Sequence, residues 1–452
     1  MGSTKCSDER SLLQLATDLI KECTYLEGHY ETNTFFSSAD STHKLGGQAE
    51  EREAGAARSN ALGLIEQLSH HLRGPHDYLH DFVASNWDHG ALYAVLQHGI
   101  LEEIQKSGGL ASVPDLALKC GIPEDKLIRI LGLLRCKNIV CQPDHNYFAL
   151  TPISMELLED TDFRAWVEFQ LFETRVASAH LADALLRKPN TYATGSSGFR
   201  EGWGLEMYDW HARHADKGER FRRAMRGVSK SLDPADTLLH EWFSHAGTVS
   251  GRIVELGGRY GFAYLKLAQR HESLSIEVRC EMLDSIKRAE SQSVESTTTS
   301  LTTFEHVSSL CDSQHVDNKH DVRTYILRNL LWNWSDEDAI RLLQSCIPAL
   351  EVEPATGRIL VIDGVSPEPG QLPAHEEIAY RRRDITTMTM HNVKQRSQAE
   401  WLKVFSRVDP ALKVSSITWS GERFEADSHQ VSTSFEYSSH VCKALWELRL
   451  SD

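Results

Sequence analysis

The sequence predicts an α/β fold: a C-terminal doubly wound, Rossmann-like domain behind an N-terminal all-α and winged-helix region. Three observations predict it. Strand-like and helical segments alternate from Thr248 onward. One of those strands, GRIVELGG at 251–258, runs directly into glycines. Residues 91–157 read as three short helices followed by a turn and a strand.

The elements follow in order. Residues 9–32 carry leucines and isoleucines at helical spacing, with Leu12, Leu15, Leu19 and Ile20 on one face. Residues 37–60 are rich in Ser, Gly and Glu without periodicity and read as a linker. A helix follows over 61–72. ALYAVLQHGILEEIQKSGG reads as one amphipathic helix closed by glycines. Pro114 to Gly121 reads as a second, and PEDKLIRILGLLRCKNIV as a third. NYFALT is the wing. The expected boundaries are an arm over 1–84, a winged-helix module over 85–160, a helical connector over 161–245 and the α/β domain over 246–452. Residues 291–320 are Ser/Thr-rich and read as an irregular insertion.

Composition narrows the class. The chain has 452 residues, 41% hydrophobic, enough for a sizeable core. Its formal charge of −16 argues against nucleic acid and against anionic membranes. The third helix mixes Glu124, Asp125, Lys126 and Arg129, so the winged-helix pattern points to dimerisation and pocket formation rather than to DNA reading. The nine cysteines form no CxxC pair, and no metal is expected. The polar opening MGSTKCSDER has no signal-peptide core, so a cytoplasmic location is expected.

The chemistry-bearing motifs lie in the second half. Gly257, Gly258 and Gly261 follow a strand, where backbone can approach a nucleotide-type ligand closely. Glu277 stands about 20 residues later, a place that suits hydrogen bonding to ribose hydroxyls. YILRNLLWNWSDEDAIRLL at 325–343, ILVIDGVSPEPG at 359–370 and RRDITTMTMHNVKQRSQAEW at 382–401 occur in a specific order. With AHLADALL at 179–186 and FRRAM at 221–225, they resemble the plant and fungal small-molecule O-methyltransferase family over residues 85–450.

The resemblance implies an N-terminal dimerisation region, a class I methyltransferase domain, S-adenosylmethionine as cofactor and an apolar substrate cavity. The family pattern has a general-base His and an Asp ahead of Trp-Ser-Asp; here Trp332 and Asn333 stand there. An indole N–H only donates, so it cannot take a proton. The family's supporting acidic residues are matched by Asp363 and by Gln395, and an amide holds no charge. Arg259 and Tyr260 replace small residues of the cofactor loop, and Thr303–His306 falls near the adenine-side motif.

This joint loss is similar to the O-methyltransferase-like fungal pericyclases. That resemblance implies dehydration of a polyketide-derived 2-pyridone alcohol and a pericyclic step, with S-adenosylmethionine in a structural or electrostatic role. It implies His180, Arg383, Asp384 and His391 as catalytic candidates. Trp332, Met388, Asn392, Tyr208, Phe221 and Met225 are the substrate-binding candidates. For Arg383 and Asp384 the alternative is an ion pair bracing the start of their helix. The partners expected are a small apolar polyketide-type substrate and a second copy of the chain. Two other readings stand beside this one: an O-methyltransferase using His391 or His180 as base, and a catalytically silent partner protein.

Overall fold

The computed structural model describes residues 10–29, 48–187, 194–232, 237–245, 252–257, 275–280, 302–306, 322–419, 422–425 and 443–451. The chain divides into two compact units.

The first unit comprises Met1–Arg175, Arg213–Val228 and Pro373–Ile378. The helix Leu12–His29 packs on the long helix Gln48–Gln97 through Leu26, Ala57 and Ala61. The long helix begins inside the segment expected as a linker; Gln-Ala-Glu-Glu-Arg-Glu-Ala at 48–54 is a run of strong helix formers. Residues 37–47 lie outside the described residues. Gly74, at φ 69°, and Pro75 kink the helix. The single helix expected from Ala91 to the glycines is two, because Gly99 turns left-handed at φ 65° and the helix Ile100–Lys106 restarts behind it.

The winged-helix pattern is present. The helices Val113–Cys120 and Glu124–Arg135 follow, and β1 (Leu110–Ser112), β2 (Val140–Asp144) and β3 (Tyr147–Leu150) form an antiparallel sheet in the order β1-β3-β2. Leu116, Leu127, Leu131 and Phe148 fill its core. A π-helical turn at Gln170–Thr174 holds fully buried Glu173 against Arg220.

The second unit comprises Val176–Ala212, Ser229–Leu372 and Ala379–Asp452. Its eight strands are β4 (Arg252–Leu256), β5 (Ser275–Cys280), β6 (Thr302–His306), β7 (Val322–Arg328), β8 (Arg358–Gly364), β9 (Leu412–Trp419), β10 (Glu422–Glu425) and β11 (Lys443–Leu450). Their order is β10-β9-β11-β8-β7-β4-β5-β6. Strands β4 to β8 run parallel, and β11 lies antiparallel between β8 and β9. The order reverses at β4, with β5 on one side and β7 on the other, so a switch point opens at the carboxyl ends of β4 and β7. Strand β6 lies within the segment expected as an irregular insertion: TTFEH has the β-branched and aromatic content that a fifth parallel strand needs. Trp401, Phe405, Trp446 and Leu343 fill the core on one face of this sheet; Trp242 and Ile326 pack on the other.

One apolar face of the first unit faces solvent. Leu79, Phe82, Val83 and Trp87 recur at helical spacing and are each more than half exposed. The homodimer expected from the sequence would cover such a face. A Phe82→Glu/Trp87→Glu double variant should then elute as a monomer while keeping wild-type helicity; light scattering after size exclusion is the measurement, and an unchanged mass would rule this face out.

Candidate functional site

The site is built at the carboxyl ends of β4, β7 and β8. At the end of β4, Gly257 sits at φ +82° and donates its N–H to the Arg279 carbonyl at 2.8 Å. A side chain there would collide with Leu330, with a Cβ 2.7 Å from its Cδ1. Gly258 and Gly261, with the helix expected after them, lie outside the described residues.

After β7 the chain turns sharply. Asn329 is left-handed at φ 49° and donates to the Ile362 carbonyl at 2.9 Å. Leu331–Asn333 forms one 3₁₀ turn, and the Ser335 hydroxyl caps the helix Asp336–Leu350. Trp332 sits in that turn, half-buried, and its indole N–H is spent on the Asn329 carbonyl at 3.0 Å. Asn333 Nδ2 donates to the Tyr208 hydroxyl at 3.2 Å. The Tyr208 ring stacks on buried His391, with centroids 5.3 Å apart. Trp332, Asn333, Tyr208 and His391 are thus brought together. Asn392 follows His391 at φ 55°, buried, with its N–H on the Met388 carbonyl at 2.8 Å.

Arg396 holds this turn. It is buried and donates to the carbonyls of Leu331 and Trp334 at 2.9 and 2.7 Å and to Asp336 at 2.8 Å, while its plane lies on Trp401. Sequence reasoning passed over Arg396; its only signal was its place beside Gln395.

Asp363 ends β8 fully buried. Its Oδ2 accepts the Leu331 N–H at 2.9 Å, while Oδ1 meets no donor among the described residues. Burial pushes its carboxyl up to about 7, against the opposing pull of Arg396 and the Leu331 N–H. Near neutrality Asp363 is therefore divided between carboxylate and carboxylic acid.

The remaining candidates are distributed differently. Arg383 and Asp384 lie well inside the helix Ala374–His391, not at its start, because that helix begins ahead of the motif. They do not pair. Asp384 accepts the Gln395 backbone N–H at 2.7 Å. Arg383 forms no ion pair among the described residues, lies over Tyr380, and is lowered to about 10 by burial. A groove of about 500 Å³ beside β8 is lined by Ser366, Pro367, Arg381, Asp384, Lys394 and Gln395, among others. His180 stands between two short helices with Nδ1 3.2 Å from Asp183. Phe221 and Met225 belong to the first unit, Phe221 packing on Phe169.

Glu277 corrects an expectation. It is a middle residue of β5, which continues to Cys280. It is buried, and Arg279 donates to it at 2.6 Å while Arg252 pairs with its other oxygen. Its carboxylate is engaged inside the sheet rather than offered at the ligand-binding edge, so the ribose role finds no support in its geometry. Gly257, the other described residue expected to hold S-adenosylmethionine, lies in the left-handed turn that ends β4.

Two expected outcomes follow. Arg396→Ala should destabilise the fold by about 3 kcal/mol or more in chemical denaturation, because Asp336 and two carbonyls lose their donor. Asp363 binds a proton in the folded state at pH values where the unfolded carboxyl, near 3.8, has lost it. Its contribution to stability therefore falls as pH rises from about 4 through about 7. Asp363→Asn should stabilise at pH 8 relative to pH 5, by on the order of 1–3 kcal/mol, in paired thermal melts.

The comparisons bear on the whole of this architecture. The O-methyltransferase domain model matches residues 179–408. The O-methyltransferase phnC of Penicillium herquei is 37% identical over 430 residues, covering 90% of this chain and 97% of that protein. Among solved structures, LepI in complex with SAM superposes with a TM-score of 0.68 at 18% identity, over 89% of this chain and 97% of that one. OxaC superposes at 0.72 and 13% identity, over 97% and 99%. These likenesses show the fold, and the sequence matches show the family: the chain belongs to the O-methyltransferases.

Proposed function

We propose that this chain is a methyltransferase-fold enzyme that does not methylate but cyclises a polyketide-derived 2-pyridone alcohol, by dehydration to a quinone methide and a pericyclic step. The observation that carries the reading is Trp332. It occupies the position of the family's base, its only polar atom is a donor, and that donor is committed to Asn329. The Gln395 amide, at the position of an acidic support, donates to Thr387 at 3.5 Å. In dehydration the substrate's C–O bond breaks, a proton leaves a ring hydroxyl or N–H, and water departs. The ring-forming step then moves electrons without a net proton. Such chemistry depends on a shaped wall and on polar groups that orient a carbonyl.

In this reading Trp332, Tyr208 and Met388 form the wall, and His391, Asn392, Arg383 and His180 supply polar contacts. Asp384 fixes the backbone at Gln395. S-adenosylmethionine would be held at the left-handed Gly257 turn, and its sulfonium supplies a fixed positive charge when bound. The similar structure of LepI is a complex with SAM, which supports that choice of cofactor.

A second reading is favoured by the name of the Penicillium herquei relative: an O-methyltransferase in which His391 replaces the missing base. Purified protein given an alcohol-stage pyridone precursor and methyl-labelled S-adenosylmethionine separates the two. The first reading expects faster or redistributed cyclised products and no labelled product; it fails if rate and product ratio match buffer. The second expects labelled ether that His391→Ala reduces at least about 100-fold.

A further inference from the structure

Asn333 carries a polar atom that none of the described residues uses. Its Nδ2 is engaged by the Tyr208 hydroxyl, while its Oδ1 is buried and meets no donor. Rotating the amide does not solve this, since it would set the oxygen against Tyr208 and orphan the NH₂ instead. The nearest indole is committed elsewhere: the Trp332 N–H is spent on Asn329, and the Tyr208 ring faces His391. A buried amide oxygen without a donor is costly, and a fold keeps one where a ligand completes it. Arg396 prevents the turn from relaxing, because it pins the carbonyls on both sides of Asn333.

We infer that Asn333 is a specificity-determining residue, whose Oδ1 accepts a hydrogen bond from a hydroxyl or ring N–H of the bound small molecule. Ligands that retain this donor are selected over their methylated counterparts. The inference rests on the reading of the β7 turn as a small-molecule site, but not on cyclisation. A site built to receive a donor discriminates strongly against the analogue lacking it, because the protein atom is then left buried and unpaired.

The test uses the full chain and two probe pairs: 4-hydroxy-2-pyridone with its O-methyl ether, and 2-naphthol with its O-methyl ether, each titrated calorimetrically. The wild type should bind at least one parent about tenfold or more tighter than its ether. Asn333→Asp keeps the acceptor and should keep the preference. Asn333→Leu and Asn333→Ala should abolish it, with thermal melts showing which variants fold. Equal affinities for parent and ether in the wild type overturn the proposal. So does a preference that survives in either apolar variant, or an absence of binding by all four probes. A preference confined to naphthol leaves Asn333 in its role and removes the pyridone from the proposed function.

Discussion

The architecture of the site depends on one buried guanidinium. Arg396 gives two donors to the segment between β7 and the following helix and a third to Asp336 at the head of that helix, and lays its plane on Trp401. A turn of seven residues between β7 and that helix leaves carbonyls that the strand and the helix cannot satisfy, and each must find a donor. Lysine offers a point charge; arginine offers a planar fork that reaches two carbonyls and a carboxylate together. With that fork in place, the positions of Trp332 and Asn333 follow, and through Asn333 that of Tyr208.

Two buried carboxylates of the same sheet show how partners decide charge. Glu447 is as buried as Asp363, yet it accepts from the Trp242 indole at 3.0 Å, from Ser416 at 3.1 Å and from Arg449 at 2.7 Å. Burial alone would raise it; the Trp242 and Arg449 hydrogen bonds outweigh that and leave it lower than usual. Asp363 has one oxygen served and the other not, so burial prevails. Glu447 braces β11 as a permanent anion. Asp363, near the end of β8, is held well above the usual carboxylate range by its burial.

The fold was legible because its period changes. Buried parallel strands such as RILVIDG read as continuous apolar runs, and glycine marks the end of β4. Two elements were illegible for physical reasons. The start of the long helix at Gln48 is polar on most of its surface, so propensity rather than periodicity identifies it. Strand β6 is five residues long within a Ser/Thr-rich stretch, too short to show a pattern of its own. At the site, motif order located Trp332, Asn333 and Gln395, but not how they are used. Spacing placed Glu277 at a strand end, whereas strand length and two arginines keep it inside the sheet. The lone acceptor on Asn333 depends on contacts with residues 125 positions away, which no local pattern encodes.

The indole of Trp332 is tied into the turn that carries it. Its N–H now satisfies a backbone carbonyl of its own turn, so the side chain has become part of what holds the turn together. A histidine placed there would have to donate to the same carbonyl and still present a free nitrogen outward, on a ring of different reach. Exchanging Trp332 for a side chain without that reach would leave the Asn329 carbonyl to find another donor, so the turn and the face it presents change together.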